Sequence, residues 1–211
     1  MSRRPSRSDL EALLKFGGFP EPLFAQNETE HRIWRRDRIS RVIREDLRED
    51  LQIDHKTAER WLQILENLYV CFRVSPYGAP RVRAVKKQSK LYLWDWSSVE
   101  TDGPRFENMV ACQLLKYCHW VEDTQGYSME LRYLRDTDKR EVDFVVLKDG
   151  KPVFAVECKS GEKAIGPALR YFAERTPIPR FYQTHLGERH YSSGKLTVVP
   201  FIRLCEELGL P

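Results

Sequence analysis

The stretch EVDFVVLKDGKPVFAVECKS, residues 141–160, decides how this chain is read. Two apolar runs flank Asp149-Gly150, a residue pair strongly favoured at the tip of a β-hairpin. Inside those runs stand Asp143, Glu157 and Lys159. Charged side chains are seldom fully buried without partners, so three of them in a core hairpin require a reason.

The register of the hairpin supplies one. In an antiparallel pair, directly opposed residues share a face and successive side chains alternate. A two-residue turn pairs Lys148 with Lys151 and sends Asp143 away from Glu157 and Lys159. A three-residue loop, Lys148-Asp149-Gly150 with Gly150 left-handed, pairs Leu147 with Lys151 and Asp143 with Ala155. The three charges then share a face. The apolar pattern selects this second register, because it joins Val142, Phe144 and Val146 to Phe154, Val156 and Cys158 in one unbroken surface. A slip of one residue would scatter both sets. Val145, Leu147, Val153 and Ala155 lie on the charged face, so its far end is expected to be covered.

Two carboxylates in a partly dry site repel each other, and a cation relieves the repulsion. Lys159 supplies one positive charge. A divalent ion would supply more, and oxygen donors suit Mg²⁺ or Mn²⁺. An ordinary surface ion-pair patch is the alternative for the hairpin taken alone. A third acid favours the site. In RFENMVACQLL, Glu107 has Val110, Ala111 and Leu114 at i+3, i+4 and i+7, on or beside the apolar face of a helix. A place near the helix N-terminus would also suit an acid there.

The rest of the second half interleaves elements. A helix RFENMVACQLLKYCHW precedes a strand ELRYLR and the hairpin. A helix AIGPALRYFAER, strands RFYQTHL and LTVVPF, and a helix IRLCEEL follow. This predicts an α/β (α+β) domain over 98–211, a small mixed sheet flanked by helices.

Residues 1–97 read differently. LEALLKF stops at Gly17-Gly18, a charged segment of 27–51 predicts a long helix, and HKTAERWLQILEN carries a clean apolar stripe with Asp54 placed to cap it. YVCFRVS then alternates as a strand, PYGAP turns, and RVRAVKKQSKLYLWDW returns with a basic flank of Arg81, Arg83, Lys86, Lys87 and Lys90. Helix, strand, basic turn and strand suit a winged helix whose Arg81, Arg83, Lys86 and Lys87 contact nucleic-acid phosphates. Only REDLREDLQ is available as a supporting helix, and a helix and hairpin that merely pack on a neighbour fit as well. Trp61, Trp94 and Trp96 are expected in core packing between the halves.

Composition sets the outer limits. The 211 residues are 41% hydrophobic, with five Trp and ten Phe, which suits a packed core rather than disorder. No apolar run is long enough for a bilayer, and the basic start lacks a signal-peptide stretch; a cytoplasmic protein without a membrane partner is expected. The five scattered cysteines have no Cys-x-x-Cys spacing and support neither zinc nor a disulfide framework. Net charge is +4, with 15 Lys and Arg against 8 Asp and Glu in residues 31–90. That asymmetry points to a polyanionic partner.

An acid on a helix, an Asp on a strand and Glu-x-Lys on the next strand resemble the PD-(D/E)XK nuclease superfamily. The resemblance implies Asp143, Glu157 and Glu107 as Mg²⁺ or Mn²⁺ ligands, with Lys159 orienting or activating water. GGFPEP, HKTAERWLQILENLYV, KLYLWDW, RFENMVACQLLK, DTDKREVDFVV and FAVECKSGE together resemble the C-terminal region of prokaryotic AAA-type ATPases carrying the domain of unknown function 4143, which has a nuclease-like fold. No P-loop is found here: GERHYSSGKL has the wrong spacing, with Leu196 where Ser or Thr belongs, so no ATP site is expected. The expected function is metal-dependent hydrolysis of DNA. The alternative is a catalytically silent DNA- or protein-binding module that serves an AAA-type ATPase.

Overall fold

The computed structural model describes residues 6–46, 55–78 and 89–210. The chain forms two units, Met1–Phe72 with Leu93–Glu100 and Arg73–Tyr92 with Thr101–Pro211. The basic residues Arg81, Arg83, Lys86 and Lys87, and Asp54, lie outside the described residues.

The first unit holds helices α1 (Arg7–Phe16), α2 (Pro20–Ala25), α3 (Glu28–Asp46) and α4 (His55–Asn67). Ser6 and Asp9 close a capping box at the start of α1. At its end the Gly17-Gly18 pair does two jobs. Gly17 adopts φ 83°, and a Cβ on Gly18 would collide with the Trp96 ring. Trp96 is buried and donates from Nε1 to the Leu13 carbonyl at 2.9 Å. Trp94 packs on Tyr69 and Phe72, with centroids 6.0 and 5.0 Å away. Both tryptophans therefore have packing partners inside this helical unit.

The second unit is built on one eight-stranded sheet of order β2-β1-β3-β4-β5-β6-β8-β7. Its strands are β1 (Cys71–Pro76), β2 (Lys90–Leu93), β3 (Met129–Arg135), β4 (Glu141–Lys148), β5 (Lys151–Lys159), β6 (Phe181–His185), β7 (Tyr191–Ser193) and β8 (Leu196–Pro200). Its helices are α5 (Asp102–Gln125), α6 (Pro167–Arg175) and α7 (Phe201–Leu208). The fold is mixed α/β, as the interleaved pattern predicted. A winged-helix reading treats the β1–β2 hairpin as a separate wing. Here β1 runs parallel to β3, pairing Ser75 with Arg132, so the hairpin extends the main sheet. The apolar alternation of β1 already suited an inner strand. The short β7 escaped the sequence pattern because YSS has no apolar alternation to report it.

The β4–β5 hairpin corrects the expected loop. Asp149 and Gly150 both have positive φ, 49° and 71°, and Lys148 pairs with Lys151, so the turn has two residues rather than three. Leu147 then faces Pro152, but Val146 faces Phe154. Val153 is the extra residue of a bulge, a position where proline next door is tolerated because ladder hydrogen bonding is already interrupted. The bulge shifts the register back by one. Phe144 faces Val156, and one step further places Asp143 beside Glu157, not Ala155. The shared face survives; its mechanism is different.

Both faces of the hairpin are covered. Phe144 and Phe154 lie against Tyr92 and Tyr117, the latter on α5. On the other face Val145, Leu147 and Ala155 join Leu169 and Phe172 of α6 in a fully apolar cluster. Gly166 caps α6 and Pro167 occupies its first position, so the helix starts there rather than at Ala164.

Candidate functional site

Four carboxylates and two lysines meet in the second unit where α5, β2, β4 and β5 approach. Asp143, on β4, is 9% exposed and accepts at Oδ2 from the Cys158 N–H at 2.8 Å. Burial, with the charges of Glu157 and Glu107 added, pushes its carboxyl up to about 8; Lys90 and the Cys158 N–H oppose the rise. Glu157 is raised as well, first by burial, and Lys159 holds it back. The Lys159 ammonium contacts Glu157 Oε1, while Glu157 Oε2 is buried without a hydrogen-bond partner. Such an orphan oxygen is unusual in a folded chain.

Glu107 reaches the same place from α5. The helix presents Met109, Val110, Ala111 and Leu114 to the core, which turns Glu107 inward beside them. Its Oε1 accepts from the Tyr92 hydroxyl at 2.6 Å and from Lys90 Nζ at 3.2 Å. Sequence reasoning expected Glu107, Asp143, Glu157 and Lys159, and the fold brings all four together. It placed Lys90 in the basic flank of a strand, outside the site, and did not single out Tyr92 or Glu141. Lys90 in fact lies 2.5 Å from Glu141 and 3.5 Å from Asp143. Burial alone would lower the Lys90 ammonium, but Asp143, Glu107 and Glu141 together raise it above its usual value. The signal was present in KLYLWDW. Lys90 and Tyr92 are two apart on a strand and share a face.

The loop after Lys159 is pinned from behind. Fully buried Gln183 on β6 donates to the Lys163 carbonyl at 2.8 Å and accepts from the Gly166 N–H at 3.1 Å. Glu162 accepts from the N–H groups of Glu188 and Arg189 at 2.7 and 2.9 Å. Those two bonds hold its carboxyl below the ordinary range. A Cβ on Gly187 would collide with the Glu162 side chain, so a larger residue there would require that carboxylate to shift.

Oxygen donors and the unpartnered Glu157 Oε2 suit a hard divalent cation in their chemistry. As they stand, the carboxylates are drawn toward Lys90 and Lys159, and among the described residues no three His, Cys, Asp or Glu side chains form a group that could hold a metal ion. No helix among the described residues is long and apolar enough to cross a membrane.

Fold and site together define a mixed α/β domain with a buried acid–lysine cluster at the open end of a bulged hairpin. Residues 102–204 match the family described as Domain of unknown function (DUF4143), and residues 42–100 match Domain of unknown function (DUF8612). The first match contains every site residue except Lys90 and Tyr92, which fall in the second. No curated protein and no solved structure matches the chain.

Proposed function

We propose that the second unit is a metal-dependent phosphodiesterase of the PD-(D/E)XK type that acts on DNA. The observation that carries this reading is the convergence of Asp143, Glu157, Lys159 and Glu107, with one buried Glu157 oxygen lacking a partner. Asp143, Glu157 and Glu107 would hold Mg²⁺ or Mn²⁺. When bound, such an ion acidifies a water and neutralises phosphate charge. Lys159, fixed by Glu157, presents an ammonium that orients that water and offsets the charge gathering on the phosphate oxygens. The Cys158 N–H holds the Asp143 carboxylate in place, and the cover of α6 keeps the hairpin rigid beneath it. The basic segment carrying Arg81, Arg83, Lys86 and Lys87 would track the DNA backbone.

The test is cleavage of plasmid and linear duplex DNA with Mg²⁺, Mn²⁺ or chelator. Activity is expected with either ion, and Lys159→Ala is expected to remove it. Cleavage that survives Lys159→Ala overturns the assignment.

A second reading is favoured by the ion pairing of Lys90 with three of the acids. In it the unit is a silent docking module for DNA or for an AAA-type ATPase, and Lys90 is a permanent structural counter-ion. DNA binding that weakens steeply with salt, without cleavage under any metal, supports it.

A further inference from the structure

We propose that Lys90 is a resident counter-ion that a divalent cation must displace, so that β2 governs metal occupancy of the site. The proposal rests on the metal-dependent reading above and concerns its regulation.

One nitrogen, Lys90 Nζ, stands 2.5 Å from Glu141, 3.2 Å from Glu107 and 3.5 Å from Asp143. Two of these are acids that the reading assigns to the cation. An ammonium and a divalent ion cannot share the same oxygens without strong repulsion at such separations. Glu107 Oε1 is already taken twice, by Tyr92 and by Lys90, whereas Glu157 Oε2 is not taken at all. One Lys90 ammonium thus serves three acids, while Glu157 has Lys159 at Oε1 and keeps only Oε2 without a hydrogen-bond partner. Arg135, 3.3 Å from Glu141, remains beside that acid once the ammonium leaves.

Lys90 is suited to exchange. It sits at the first position of β2, and its side chain keeps 22% of its surface exposed. A four-carbon stem lets the charge swing to solvent without moving the strand. Tyr92, two residues on, keeps Glu107 in position by its own hydroxyl bond. Cation entry thus requires a side-chain rotation rather than a rearrangement of the sheet.

The test is a calorimetric titration of the full chain with Mn²⁺ alone, comparing wild type, Lys90→Met, Lys90→Arg and Glu157→Gln. Lys90→Met is expected to bind Mn²⁺ about tenfold or more tighter than wild type, since it removes a unit charge from the shared oxygens. Lys90→Arg is expected to stay near wild type. Equal or weaker binding by Lys90→Met, with wild-type binding lost in Glu157→Gln, overturns the displacement proposal alone. Absence of Mn²⁺ binding in all forms, or binding indifferent to Glu157→Gln, overturns the metal-dependent reading and this proposal with it. If Lys90→Met does not fold, amine acetylation of the wild type read by mass spectrometry decides. Saturating Mn²⁺ is expected to raise labelling at Lys90, and unchanged labelling overturns the proposal.

Discussion

The backbone N–H of Cys158 donates to Oδ2 of Asp143 across 2.8 Å, tying the aspartate of one hairpin strand to the Glu-x-Lys segment of the other. The bond sits one register step beyond the Phe144–Val156 pair, so it depends on the bulge at Val153. It also compensates part of the cost of burying a carboxyl among other acids.

Asp143 sets a pH dependence. Its carboxyl keeps its proton to about pH 8 in the folded chain. An unfolded aspartate loses it near pH 4, roughly. The folded state thus holds the extra proton between those values, so its stabilisation is full below about pH 4 and is lost as the pH rises to about 8. Thermal denaturation should show stability declining across that window. Asp143→Asn should flatten the decline and be the more stable form at pH 8. An unchanged slope in Asp143→Asn would contradict the burial of this charge.

Gly18 carries the weight of Trp96. Gly18→Ala places a methyl group against the indole ring. Overpacking of this kind costs about 1–3 kcal/mol, measurable as a lowered urea midpoint with unchanged slope. Gly103, in the first turn of α5 with open space around it, serves as the control, and Gly103→Ala should not lower the midpoint.

Glu162 anchors the loop behind Lys159. Its lowered carboxyl value means that the anchoring is present above the usual carboxylate range and fades as the pH falls below about 4. Protection of the Glu188 and Arg189 amides, taken relative to the intrinsic exchange rate at each pH, should fall in that acid range. In Glu162→Ala the protection should be low at neutral pH too. Equal protection in wild type and variant would show that the loop is held by Gln183 alone.

Cys118 and Cys205 should be silent toward thiol reagents in the native state. Burial pushes both thiols up to about 12, well above the exposed value near 8.5, roughly, so almost no thiolate exists at pH 8. Iodoacetamide labelling followed by peptide mapping should find them only after denaturant is added. Rapid labelling of either in the folded protein would mean that its helix opens locally.

The sequence by itself determined most of the local elements, though not β7, and the parity of the hairpin. Alternation of Val142, Phe144 and Val146 with charged neighbours can be satisfied in only one way once the apolar face is buried, and that constraint holds whichever turn closes the loop. The inward place of Glu107 was legible for the same reason, since its apolar neighbours at helical spacing leave it little choice of face. The two-residue turn with its compensating bulge was not legible, because two defects that cancel leave the outer pattern unchanged. Nor was the site role of Lys90, Tyr92 and Glu141. Their meeting depends on β1 pairing with β3 and on β2 lying at the outer edge beside β1, contacts between residues far apart in the chain. No periodicity within a strand encodes which strand lies next to it; only the closure of the whole sheet brings that lysine to those acids.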